Sequence, residues 1–87
     1  MFPFIETSKD GVLMREFKEG TDSEELIWHR DREDREVRVL NSNGWKLQLD
    51  NQLPVYLEEG KTYFIEKFLF HRVIKGKGDL VVEITKK

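Results

Sequence analysis

The stretch Trp45-Lys46-Leu47-Gln48-Leu49-Asp50 alternates apolar and polar residues without a break. In an extended chain successive side chains point to opposite faces, so Trp45, Leu47 and Leu49 share one face and Lys46, Gln48 and Asp50 the other. That is the pattern of a half-buried antiparallel strand. Turn chemistry bounds it on both sides, Asn41-Ser42-Asn43-Gly44 before and Asp50-Asn51 with Pro54 after.

Working outward, short segments rich in Val, Ile, Phe, Tyr and Trp recur between such breaks. They predict strands at Phe4–Thr7, Val12–Phe17, Glu25–His29, Glu36–Leu40, Trp45–Leu49, Val55–Leu57, Thr62–Ile65, Phe70–Ile74 and Leu80–Thr85. The remaining breaks are Lys9-Asp10-Gly11, Glu19-Gly20-Thr21-Asp22, Glu58-Glu59-Gly60 and Gly76-Lys77-Gly78-Asp79. Ser, Thr and Asp ahead of Glu after Thr21 suit a helix start, but residues 29 to 36 are all polar and offer no apolar stripe at helical spacing. The spacing therefore predicts an all-β sandwich or barrel, with residues 1–87 as one domain. The cluster Tyr56, Tyr63, Phe64, Phe68 and Phe70 is expected in the core, as are Trp28 and Trp45. Lys75-Gly76-Lys77-Gly78 is expected to connect a hairpin.

With 87 residues, the core must be small. Six Phe, two Trp and two Tyr are enough large apolar side chains to fold one. A formal charge of −2 supplies too little positive charge for the phosphate contacts that dominate nucleic-acid binding, so nucleic acid is not an expected partner. The absence of cysteine excludes disulfides, zinc fingers, iron–sulfur clusters and thiol catalysis. A bound metal would have to sit on His, Asp or Glu. No apolar run reaches the roughly 18 residues of a membrane span, and Met-Phe-Pro-Phe-Ile is too short for a secretory signal. The expectation is a mature chain in the cytoplasm, away from membranes.

The two histidines, His29 and His71, both fall on predicted strands. In Ile27-Trp28-His29-Arg30-Asp31-Arg32-Glu33-Asp34-Arg35-Glu36-Val37-Arg38-Val39-Leu40, strand geometry puts His29 and Asp31 side by side, and such a pair can grip one ion. The second histidine follows Gly60-Lys61-Thr62-Tyr63-Phe64-Ile65-Glu66-Lys67-Phe68-Leu69-Phe70.

Here the chain resembles the cupins, whose first motif reads G-x5-H-x-H-x3–4-E-x6-G and whose second reads G-x5-P-x4-H-x3-N. His29 falls on the leading histidine, Asp31 replaces the second, Glu36 takes the glutamate, and Gly44 lies one residue late for the closing glycine. Gly60 and His71 match the glycine and histidine of the second motif. Ser23, Glu66 and Lys75 stand where the motifs have Gly, Pro and Asn. The resemblance spans roughly residues 23 to 82. It implies a small cupin-type, jelly-roll-like double-stranded antiparallel β-barrel with ligands projecting into its mouth. Cupins commonly hold Fe, Mn, Ni or Zn through three His and one Glu. The set His29, Asp31, Glu36 and His71 is closer to the two-His, one-carboxylate arrangement that leaves positions open on Fe(II) or Mn(II).

The resemblance implies a metal-dependent protein binding or acting on a small organic molecule, and it names no reaction, since one fold hosts many. Glu36 shares a strand face with Arg38 and can pair with an arginine instead, which makes Asp31 the preferred carboxylate. Asp34 and Arg35 can hold the ligands from behind. Two other readings stay open. One is a metal-free module that takes an anion or sugar through Arg30, Arg35, Arg38 or Arg72. The other is an accessory domain without chemistry, in either case with a homodimer as the expected assembly.

Overall fold

The computed structural model describes residues 4–87, so Met1, Phe2 and Pro3 of the opening segment lie outside the described residues. Eight strands follow in order: β1 (Ile5–Lys9), β2 (Val12–Phe17), β3 (Arg35–Asn41), β4 (Lys46–Leu49), β5 (Val55–Tyr56), β6 (Thr62–Ile65), β7 (His71–Ile74) and β8 (Leu80–Lys86). They form a five-stranded sheet in the order β1-β2-β8-β3-β6 and a three-stranded sheet in the order β5-β4-β7. Every strand pairing is antiparallel. Among the described residues no helix is long and apolar enough to cross a membrane.

Period-two patterning decides which side of each strand is buried. On β8, Leu80, Val82 and Ile84 point inward, and on β3 Arg35, Val37 and Val39 do the same. Leu47 of β4 and the adjacent Trp45 close the core from the other sheet. Trp45, Leu80 and Val39 are fully buried, and each side chain of this kind contributes about 1.5–3 kcal/mol. The Trp45 indole N–H donates to the carbonyls of Lys77 and Gly78, both at 3.2 Å, so its polar edge is satisfied in the interior. Asp10 and Gly11 join β1 to β2 with φ of 53° and 80°. Positive φ at both positions of a two-residue loop matches the right-handed twist of the paired strands, and Asp-Gly accommodates it.

Several expectations need correction. Glu25–His29 is not a strand: the Asp22 side chain accepts from the Glu24 N–H at 3.0 Å and caps a 3₁₀ turn at Ser23–Glu25. A short side-chain acceptor of this kind draws the backbone away from a ladder. The segment Lys75-Gly76-Lys77-Gly78 is not a hairpin, because it carries the chain from β7 in one sheet to β8 in the other. Of the aromatic cluster only Tyr63 packs against the core, while Trp28, Tyr56, Phe64, Phe68 and Phe70 are exposed. Strand parity explains two of them. Phe64 alternates with the inward Tyr63 and Ile65, and Phe70 precedes the inward His71.

The crossing from β7 to β8 depends on close backbone approach. A Cβ built on Gly76 would fall on the Asn43 carbonyl oxygen, the Gly44 carbonyl carbon and the Trp45 nitrogen, all backbone atoms. Gly76→Ala is therefore expected to lower the unfolding free energy by about 3 kcal/mol or more. Gly20, whose Cβ would meet nothing within 4 Å, is the control, and Gly20→Ala should stay within about 0.5 kcal/mol of the parent. Urea midpoints of the two variants decide the matter, and equal midpoints would contradict the assignment.

Candidate functional site

β7 delivers His71 to the interior because its parity matches that of the inward Val73. The chain between the 3₁₀ turn and β3 reaches β7 through a single two-residue bridge. The His29 N–H donates to the His71 carbonyl at 3.0 Å, and the His71 N–H donates to the His29 carbonyl at 2.9 Å. Two further bonds tie this arm to the corner before β7. The Phe68 N–H donates to the Asp31 carbonyl at 2.7 Å, and the Lys67 N–H to Asp34 Oδ1 at 2.8 Å. Phe68 adopts φ of 64°, a left-handed conformation that costs a bulky residue of order 1–3 kcal/mol and persists where such contacts fix it.

The bridge brings the rings face to edge, with centroids 4.3 Å apart and planes inclined by 60°. Each Nδ1 lies against a carbonyl two residues earlier, Ile27 O at 3.0 Å from His29 and Leu69 O at 2.9 Å from His71. A carbonyl only accepts, so both Nδ1 atoms carry a proton, and Nε2 is the nitrogen of each ring left to meet a cation. Asp31 completes the group: one donor atom from each of His29, Asp31 and His71 lies within 4.8 Å of the other two. His71 Nε2 is 3.3 Å from Asp31 Oδ2, and that buried oxygen has no hydrogen-bond partner among the described residues.

Arg35 holds Asp31 from behind, with Nη1 3.3 Å from Oδ1, and its Nε and Nη2 donate to Glu33 Oε1 at 3.0 and 2.8 Å. Burial pushes the His71 pKa below its ordinary 6.5, and the neighbouring His29 and Arg35 push the same way, against the opposing pull of the Leu69 carbonyl and Asp31. The neutral ring is thus the resting form at pH 7. A lone pair on His71 Nε2 then faces a carboxylate oxygen without a donor between them. Two imidazole nitrogens and one carboxylate oxygen converging in this way suit a divalent cation.

The three residues sit on the wall of a cavity of about 430 Å³ that lies between the sheets and opens to solvent. His29 is exposed and His71 buried, so the group spans the rim and the interior. Glu36 does not join it. Inward Arg35 and Val37 flank Glu36 on β3, which turns it to the outer face, where Oε2 lies 3.5 Å from Lys87 Nζ. The four arginines separate likewise, and only Arg35 lines the cavity. Arg38 is on the outer face of β3, Arg30 lies over the Phe70 ring at 5.2 Å, and Arg72 lies over Trp28 at 4.9 Å while donating to Gln48. Sequence reasoning missed Arg15 and Glu25, which also line the cavity. Arg15 was legible, since it shares the parity of Phe17 on β2, whereas Glu25 depended on the unforeseen 3₁₀ turn.

No family model matches the sequence, and no curated protein matches it. Solved structures do. A cupin domain from Bordetella pertussis Tohama I is 26% identical with a TM-score of 0.68, over 97% of this chain and 93% of that one. An RmlC-like cupin with a double-stranded β-helix fold from Methanocaldococcus jannaschii is 12% identical with a TM-score of 0.69, over 99% of this chain and 81% of that one. An iron(II) HppE solved with its substrate is also 12% identical with a TM-score of 0.69, over all of this chain and 54% of that one. Two antiparallel sheets closing on a cavity, together with these likenesses, establish that the chain has the cupin fold.

Proposed function

We propose that His29, Asp31 and His71 hold a divalent cation at the cavity wall, and that the protein binds and acts on a small organic molecule there. The observation that carries this reading is the Asp31 Oδ2 atom, buried without a donor and facing a neutral imidazole nitrogen. An unpaired buried carboxylate oxygen is costly, and a cation held by His29, Asp31 and His71 would offset that cost. The donor set fits Fe(II), Mn(II), Ni(II) or Zn(II). When bound, such an ion supplies a Lewis acid that polarises an oxygen of the ligand.

The chain's own residues do the rest. The Ile27 and Leu69 carbonyls fix the tautomer and tilt of the imidazoles, and Arg35 fixes Asp31. The apolar wall of the cavity takes the body of the ligand and keeps water from it. The fold also hosts an iron(II) protein solved with its substrate, which suits this reading without naming a reaction. The metal-free, arginine-lined alternative draws less support, because three of its four arginines face away from the cavity.

After chelation and dialysis, the protein is expected to bind one equivalent of Mn(II) or Zn(II), with a rise in the unfolding midpoint. Asp31→Asn and His71→Ala should weaken that binding by at least about 100-fold, and Glu36→Gln should leave it unchanged. Elemental analysis together with titration calorimetry measures this, and absence of stoichiometric binding would contradict the proposal.

The depressed pKa of His71 has a second consequence, in the metal-free protein. Well above pH 6.5 both the folded and the unfolded imidazole are neutral, and the stability of the neutral form is complete. As pH falls below 6.5 the unfolded chain takes up the proton first, so stability declines until pH passes the lower folded value. Urea midpoints between pH 7.5 and 5 should fall, and fall less in His71→Gln. His29, Asp31 and Arg35 all face this ring, so the comparison uses the single variant with those groups intact. A midpoint that rises on acidification would contradict the buried neutral ring.

A further inference from the structure

Twelve of the eighteen residues lining the cavity are apolar, among them Phe17, Val37, Leu47, Ile65, Val82 and Ile84. The charged groups on the wall decide what else it accepts. Two cations line it, and both are already neutralised. Arg15 Nε lies 2.6 Å from Glu6 Oε1, its cross-strand partner, and its guanidinium stacks over the Phe4 ring at 4.2 Å. Arg35 is held between Asp31 and Glu33, at 3.3 and 2.8 Å. Glu25 also lines the wall, and its carboxylate has no ion pair among the described residues.

We infer that the cavity selects an uncharged, largely apolar organic molecule, with one oxygen-bearing end turned to His29, Asp31 and His71, and rejects phosphorylated or other strongly anionic ligands. The inference deepens the function proposed above and rests on it for the orientation of the polar end. A phosphate needs donors or cations that are free to turn toward it, and guanidinium groups recognise it by two parallel hydrogen bonds. Arg15 offers that edge only by breaking its ion pair with Glu6, and Arg35 only by leaving Asp31, which shares the cavity wall, without its cation. An alcohol or ketone loses little on entry, because its body is apolar and its single oxygen needs one partner. The volume sets the size. At about 30 Å³ for each water-sized unit of liquid, 430 Å³ accommodates a molecule of roughly a dozen non-hydrogen atoms.

The test uses two probes on one skeleton, 4-methylbenzyl alcohol and 4-methylbenzyl phosphate, with the full chain in chelator and again with one equivalent of Zn(II). Backbone amide shifts at Val37, Leu47 and Val82 report occupancy. The alcohol is expected to give saturable shifts at all three in both states, and the phosphate in chelator to bind at least tenfold more weakly. Glu33→Gln removes one of the two carboxylates that neutralise Arg35 and is expected to raise phosphate affinity several-fold without changing that of the alcohol. Phosphate binding as tight as the alcohol's in chelator would overturn the inference, as would an alcohol that shifts none of the three amides at millimolar concentration. An unaltered phosphate affinity in Glu33→Gln would overturn the neutralisation argument. Since the chelator arm contains no cation, these outcomes are separate from failure of the Zn(II) site itself.

Discussion

One reciprocal pair of backbone hydrogen bonds, between His29 and His71, organises the site. The arm from Ile27 to Asp34 carries no regular structure and contributes no strand to either sheet. Its position relative to β7 rests on that bridge and on the bonds from Phe68 to the Asp31 carbonyl and from Lys67 to Asp34. With the backbones locked together, the two imidazoles have little freedom left. Their Nδ1 protons are committed to carbonyls on their own segments, His71 Nε2 faces Asp31, and one donor atom of His29 lies within 4.8 Å of both.

This arrangement is built on a fold that puts polar demands at its edge and apolar ones at its centre. β8 runs between β2 and β3 and supplies Leu80, Val82 and Ile84, which sit behind the cavity. Trp45 closes the same core from the other sheet and satisfies its indole nitrogen on the crossing between β7 and β8. The arginines that enter the cavity arrive already matched, Arg15 with Glu6 and Arg35 with Asp31 and Glu33. Pairing of this kind lets charged side chains line an apolar space without the cost of an isolated charge. Asp31 Oδ2 is buried outside such pairing among the described residues, and the function proposed here grows from that atom.

Much of this was legible in the sequence because alternation is a direct record of burial. Trp45, Leu47 and Leu49 were readable as one face, and the strands at Val12–Phe17 and Thr62–Ile65 begin and end where the residue pattern places them. The trio His29, Asp31 and His71 was readable through motif spacing. The same spacing misplaced Glu36, because a motif counts residues along the chain while a strand assigns faces by parity, and β3 starts on an inward Arg35. The 3₁₀ turn at Ser23–Glu25 escaped because a single capping side chain, Asp22, outweighed weak strand propensity. The neutralisation of Arg15 was hidden for another reason. It depends on the two-residue Asp10-Gly11 loop, which sets Glu6 opposite Arg15, whereas the residue pattern marked only a three-residue break at Lys9-Asp10-Gly11.

Diffraction from crystals soaked in Mn(II), with data collected for its anomalous signal, is the measurement that reaches the central claim most directly. The account predicts one strong anomalous peak about 2.0–2.3 Å from the Nε2 atoms of His29 and His71 and from Asp31 Oδ2. A peak elsewhere on the molecule, or none at millimolar Mn(II), would contradict it.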